Sequence, residues 1–111
     1  MADALVLLPT YNEAANLEAM VETILHATAA DVLVIDDNSP DGTGRLANAL
    51  HERYPERVRT VHRPHKEGLG RALTAGFEWA LASGYEAVFQ MDADFSHNPH
   101  DLPRLAAALH A

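Results

Sequence analysis

The sequence predicts an α/β domain with a mostly parallel sheet flanked by helices. Two observations carry that expectation. Short apolar runs alternate with amphipathic segments along all 111 residues, and the acidic and glycine-rich positions cluster directly after the apolar runs. Regular alternation of this kind implies βαβ units joined by right-handed crossovers.

Ala4 to Leu8 is a short, wholly apolar run and reads as a buried strand. Leu17, Met20, Val21, Ile24 and Leu25 follow at helical spacing, with Asn12 as the candidate cap. Val32 to Ile35 is the second strand, and Leu46, Ala49, Leu50 and Tyr54 mark the second helix. Val58 to Val61 is the third strand. The longest stripe comes next: Leu69, Leu73, Gly76, Phe77, Ala80 and Leu81. Ala87 to Met91 is the fourth strand. Leu102, Leu105, Ala106 and Leu109 form a last helix, with Pro99 or Asp101 near its start. A fourth parallel strand needs cover on its far side. The expectation is therefore that residues 1–111 are the N-terminal part of a larger domain.

Composition narrows the function. A hydrophobic fraction of 48% with 22% charged residues is ordinary for a soluble globular chain. No stretch is long and apolar enough to cross a bilayer, and the N-terminus lacks a secretory pattern. The absence of cysteine excludes disulfides and thiolate metal sites, and suits a cytosolic setting. A net charge of −8 argues against nucleic acid as a partner. A phosphate ligand stays possible, because a bound divalent cation reverses the local field.

In an open parallel sheet, ligands bind beyond the carboxyl ends of the strands. Four loops lie there: Pro9-Thr10-Tyr11-Asn12-Glu13; Asp36 to Gly42; Arg63 to Gly70, with Arg63 and Lys66; and Asp92-Ala93-Asp94-Phe95-Ser96-His97. Two carboxylates one residue apart, straight after a buried strand, can reach one hard cation that keeps sites open for phosphate oxygens. The bland reading of Asp92 and Asp94 is a polar turn; their place after the fourth strand, opposite Asp36-Asp37, favours metal. Asp36-Asp37 puts like charges side by side, which needs compensation by a ligand, a metal or a helix N-terminus. At least one of them is expected on ligand, whereas Asp41 reads as a cap for the helix near Thr43. Gly68-Leu69-Gly70 suits an anion at a helix N-terminus but is equally ordinary turn chemistry. Tyr11 could stack on a base or simply pack. His97 and His100 lack a surrounding helix and a third nitrogen ligand, so zinc is not expected. No Ser-His-Asp set and no P-loop lysine is present.

Taken in order, Pro9 to Glu13, Ile35 to Thr43, Gly68 to Gly70 and Met91 to His97 resemble the family 2 inverting glycosyltransferases of GT-A fold. Within them, the Ser39-Pro40-Asp41-Gly42-Thr43-Gly44 and Asp92-Ala93-Asp94-Phe95-Ser96-His97 segments are most similar to the dolichol-phosphate (polyprenol-phosphate) mannosyltransferases. Asn38 stands where that family commonly has glycine; asparagine tolerates a left-handed backbone.

The resemblance implies a Rossmann-like nucleotide-diphospho-sugar transferase fold. It implies that Pro9, Tyr11 and Glu13 line the nucleotide pocket, with Ile35 and Asp37 beside the base or ribose. Asp92, Ala93 and Asp94 would hold the diphosphate through Mg²⁺ or Mn²⁺, the two aspartates being the catalytic and metal residues. The donor would be GDP-mannose and the acceptor a polyprenyl phosphate at the cytoplasmic face of a membrane. A membrane-anchoring partner or C-terminal segment would lie outside this chain. Two alternatives stand beside this: a UDP-glucose or other family 2 enzyme, and a nucleotide-binding fragment without turnover.

Overall fold

A computed structural model describes residues 3–64 and 68–91. Within them the order is β1 (Ala4–Thr10), α1 (Leu17–Ala27), β2 (Asp31–Asp36), α2 (Thr43–Arg53), β3 (Val58–His62), α3 (Leu69–Ser83) and β4 (Ala87–Gln90). All pairings are parallel, in the order β3-β2-β1-β4. The fourth predicted helix, with Pro99 and Asp101, lies outside the described residues.

The pleat sorts the strand side chains onto two faces. Val6, Leu8, Val32 and Val34 point to one face and meet Leu17, Met20, Val21 and Ile24 of α1, with Ala47 and Leu50 of α2. Leu5, Leu7, Leu33 and Ile35 point to the other face, toward Ala72 and Ala80 of α3. The central strands β1 and β2 are buried on both sides. This explains why they read as continuous apolar runs rather than alternating ones.

Four local expectations are corrected. Pro9 and Thr10 belong to β1, pairing with Ile35 and Asp36, so the first loop begins at Tyr11. Asn12 does not cap α1; it sits at φ 57°, and the helix starts at Leu17 after a turn closed on the Glu13 carbonyl. In α2 it is Ala47, not Ala49, that faces the core. In α3 the small residues Ala72, Gly76 and Ala80 meet the sheet, while Phe77 and Leu81 are exposed. The reason is close approach: a Cβ on Gly76 would come 2.6 Å from Ile35 Cδ1 and 3.0 Å from Leu7 Cδ1. Strand side chains fill that interface, so the helix lies low over them.

The opposite end of the sheet is braced by polar contacts. The Arg57 guanidinium donates to the Leu25, Thr28 and Ala30 carbonyls, bracing the C-terminal end of α1 and the turn after it. The Tyr85 hydroxyl donates to the buried Asp31 at 2.6 Å, and its ring stacks on Trp79. Burial, then this hydrogen bond, push the Tyr85 pKa up.

Candidate functional site

The strand order turns at β1: β2 and β3 lie on one side and β4 on the other. Such a switch point opens a crevice beyond the strand ends where α/β proteins bind ligands. The Met91 amide donates to the Leu7 carbonyl at 3.0 Å, carrying the β4 ladder to the mouth of that crevice. Asp92, Ala93 and Asp94 follow directly in sequence and lie outside the described residues, as do Lys66, His97 and His100.

On the other side of β1, the first two loops are zipped together. The Asn12, Glu13 and Ala14 amides donate in turn to Ser39 Oγ, Thr43 Oγ1 and Asp41 Oδ2, at 3.0, 3.0 and 3.1 Å. Each hydroxyl in turn donates a hydrogen bond to a carboxylate. Ser39 Oγ donates to Asp36 Oδ1 at 2.6 Å, and Thr43 Oγ1 to Asp41 Oδ1 at 2.5 Å. Asp41 also accepts from the Thr43 amide, the first of α2, while holding the first loop; the cap position itself is Gly42, one residue beyond the Asp41 expected there. The Thr43 hydrogen bond is the main cause of its lowered pKa. Ser39 and Thr43, which build this zipper, and Thr10, whose hydroxyl reaches Asp36, are not among the site residues expected from the sequence. The one signal in the sequence was three hydroxyls among the acids of two consecutive loops.

The adjacent carboxylates Asp36 and Asp37 divide the work. Asp36 is 2% exposed and accepts from Thr10 Oγ1 at 2.8 Å, Ser39 Oγ at 2.6 Å and the Ser39 amide at 3.0 Å. Its role is to fix the loop. Asp37 is 5% exposed, and its Oδ1 lies 3.6 Å from Arg63 Nε. The guanidinium supplies the compensation that two neighbouring acids require. Arg63 itself is held by its amide, which donates to the Asp36 carbonyl at 2.8 Å.

The remaining predicted residues are placed as follows. Tyr11 is 37% exposed at the tip beyond β1, Pro9 and Glu13 are half-buried beside it, and all three share that end of the sheet with Asp37. The Ile35 side chain is fully buried against α3, so only its backbone faces the strand ends. A polar cleft of about 280 Å³ lies beside the second loop, lined by Asp36, Asn38, Ser39, Arg45, His62 and Arg63 among others. Its lining includes neither Tyr11 nor Asp37. Among the described residues no group of three or more metal-ligating side chains is assembled. No described helix is long and apolar enough to cross a membrane.

This architecture, a parallel sheet between helices, is the N-terminal part of a GT-A fold. Residues 1–349 of S. aureus TarS superpose with a TM-score of 0.71 at 23% identity, over 96% of this chain and 32% of that one. The UDP complex of the same protein gives 0.76 at 22% identity, over 98% and 32%. The chain belongs to glycosyl transferase family 2, which it matches over residues 5–111.

Among curated relatives, it is 50% identical to the polyprenol monophosphomannose synthase of Mycolicibacterium smegmatis, over 96% of this chain and 41% of that protein. It is 46% identical to the undecaprenyl-phosphate mannosyltransferase of Micrococcus luteus, over 95% and 43%. It is 37% identical to the dolichol-phosphate mannosyltransferase of Pyrococcus furiosus, over 94% and 29%. The chain thus spans less than half the length of these relatives.

Proposed function

We propose that this chain forms the donor-nucleotide half of an inverting, metal-dependent transferase that moves mannose from GDP-mannose to a polyprenyl phosphate. The observation that carries the reading is the likeness, at 50% and 46% identity over nearly all of the chain, to a polyprenol monophosphomannose synthase and an undecaprenyl-phosphate mannosyltransferase. The site chemistry supports it. Guanine presents two N–H donors beside a carbonyl acceptor; Asp37, with Arg63 beside it, offers an acceptor next to a donor. Tyr11 is exposed at the same end and offers a ring to a base.

Asp92 and Asp94 are hard oxygen donors that fit Mg²⁺ or Mn²⁺, and they follow the strand whose ladder ends at the switch point. A divalent ion there would neutralise charge developing on the departing diphosphate. The zipped loops hold the nucleotide pocket in shape before donor arrives, which lowers the ordering cost of binding. The acceptor phosphate is already ionised near neutral pH, so the transfer does not demand a strong general base. Attack opposite the leaving group inverts the sugar carbon.

The test is calorimetry of the protein with GDP-mannose and with UDP-glucose, each with Mn²⁺. GDP-mannose should bind more tightly, and Asp92→Ala or Asp94→Ala should abolish the Mn²⁺-dependent part. Preference for the uridine donor would overturn the mannose reading, and unchanged affinity in both variants would overturn the metal assignment.

A further inference from the structure

We propose that Asn38 is a positioning residue: its side chain grips the third loop, holds Arg63 against Asp37, and so sets how tightly the nucleobase is bound. The part concerning affinity rests on the nucleotide-sugar reading above; the part concerning Arg63 does not.

Asn38 sits at φ 57°, a left-handed conformation in which glycine is the unstrained choice. Asparagine tolerates this conformation and brings a side chain that glycine lacks. Here it supplies a donor: Asn38 Nδ2 reaches the Pro64 carbonyl at 3.1 Å. The bond crosses from the second loop to the third, between residues 26 positions apart in the chain.

The last residue of β2 and the two that follow it hold two consecutive residues of the third loop. The Asp36 carbonyl accepts from the Arg63 amide at 2.8 Å, Asp37 faces Arg63 Nε at 3.6 Å, and Asn38 Nδ2 donates to the Pro64 carbonyl. β3 ends at His62, so Arg63 and Pro64 have already left the strand. Pro64 also has no amide proton with which to continue a ladder. Its carbonyl is the handle that remains. A contact of 3.6 Å between charges attracts but sets little direction. The backbone that carries the guanidinium is held on both sides of it. The Asp36 carbonyl fixes the near side and Asn38 the far side.

The Asn38–Pro64 bond is exposed rather than part of the core. Its loss should change stability little while changing the site, which separates a positioning role from a structural one. Asn38→Gly is the informative variant, because glycine keeps the left-handed backbone without strain and removes only the donor.

The experiment is a double-mutant cycle read two ways. In the first, the hydrogen exchange of the Arg63 Nε–H is followed by NMR in the wild type and in Asn38→Gly, with no ligand present. Exchange should accelerate in the variant while the melting temperature holds. In the second, GDP is titrated with Mn²⁺ into the wild type, Asn38→Gly, Arg63→Gln and the double variant. Asn38→Gly should weaken GDP by about threefold to tenfold, the worth of one hydrogen bond. In the Arg63→Gln background it should add almost nothing. Unchanged Arg63 exchange, or an equal loss of affinity in both backgrounds, overturns the proposal. If the wild type fails to bind GDP while Arg63 exchange still responds, the nucleotide reading falls and the positioning of Arg63 by Asn38 stands.

Discussion

The Thr10 hydroxyl donates to Asp36 Oδ1 at 2.8 Å, joining the ends of the two central strands inside the protein. Asp36 takes two further hydrogen bonds from Ser39, so three donors depend on one buried carboxylate. Asp36→Asn turns half of that acceptor into a donor facing donors. It should cost about 2–3 kcal/mol of stability, against about 1 kcal/mol for Thr10→Val, which removes a single bond. Urea unfolding of the two variants checks this. Equal losses would mean that the Ser39 contacts contribute nothing.

Gly76 predicts the opposite of the usual helix rule. Alanine in place of a mid-helix glycine ordinarily stabilises by about 0.5–1 kcal/mol. Here the added methyl would meet Ile35 Cδ1 at 2.6 Å and two Leu7 methyls at 3.0 and 3.2 Å, in a packed interface. Overpacking costs about 1–3 kcal/mol, so it outweighs the propensity gain. Gly76→Ala should lower the melting temperature, and Gly76→Val should lower it further. A rise in the alanine variant would show that α3 is free to lift from the sheet.

Tyr11 tests the site without disturbing the core. Its ring is 37% exposed and belongs to neither hydrophobic cluster of the core. If it stacks on the base, Tyr11→Ala should weaken GDP roughly tenfold and leave the melting temperature alone, while Tyr11→Phe retains most of the affinity. Calorimetry alongside thermal unfolding separates the two effects.

Tyr85 carries a pH signature. Burial, and then the hydrogen bond to Asp31, favour its neutral form and raise its folded-state pKa. A raised pKa means that the stabilisation is complete below the unfolded value near 10 and is lost as pH rises toward the folded one. Tyr85→Phe should cost about 1–3 kcal/mol at neutral pH, since it removes a donor from a buried carboxylate. The gap between wild type and variant should narrow above about pH 10. A gap that does not change with pH would show that the hydroxyl contributes no hydrogen bond.

The register of the architecture was legible because both periodicities were strong. Val32 to Ile35 could only be a doubly buried strand once helical stripes stood on either side of it. The α3 stripe places Phe77 and Leu81 inward by pattern, whereas the structure exposes both. Hydrophobicity says which residues can be buried, whereas the distance between helix and sheet decides which are. An asparagine before an apolar stripe suits either a cap or a left-handed turn, and Asn12 takes the turn. Only the Ser39 contact, from 27 residues away, selects between them.

By itself the sequence determined the parallel α/β plan, the four loops at the carboxyl edge and the acids and aromatic that stand in them, because short-range pattern dictates periodicity and chain order. Tertiary structure decided which of two neighbouring aspartates serves the fold and which faces Arg63. It also decided that hydroxyls of the second loop hold the amides of the first. Those outcomes depend on distances between segments some 25 to 30 residues apart, and such distances are set only when helices and sheet close on a shared core.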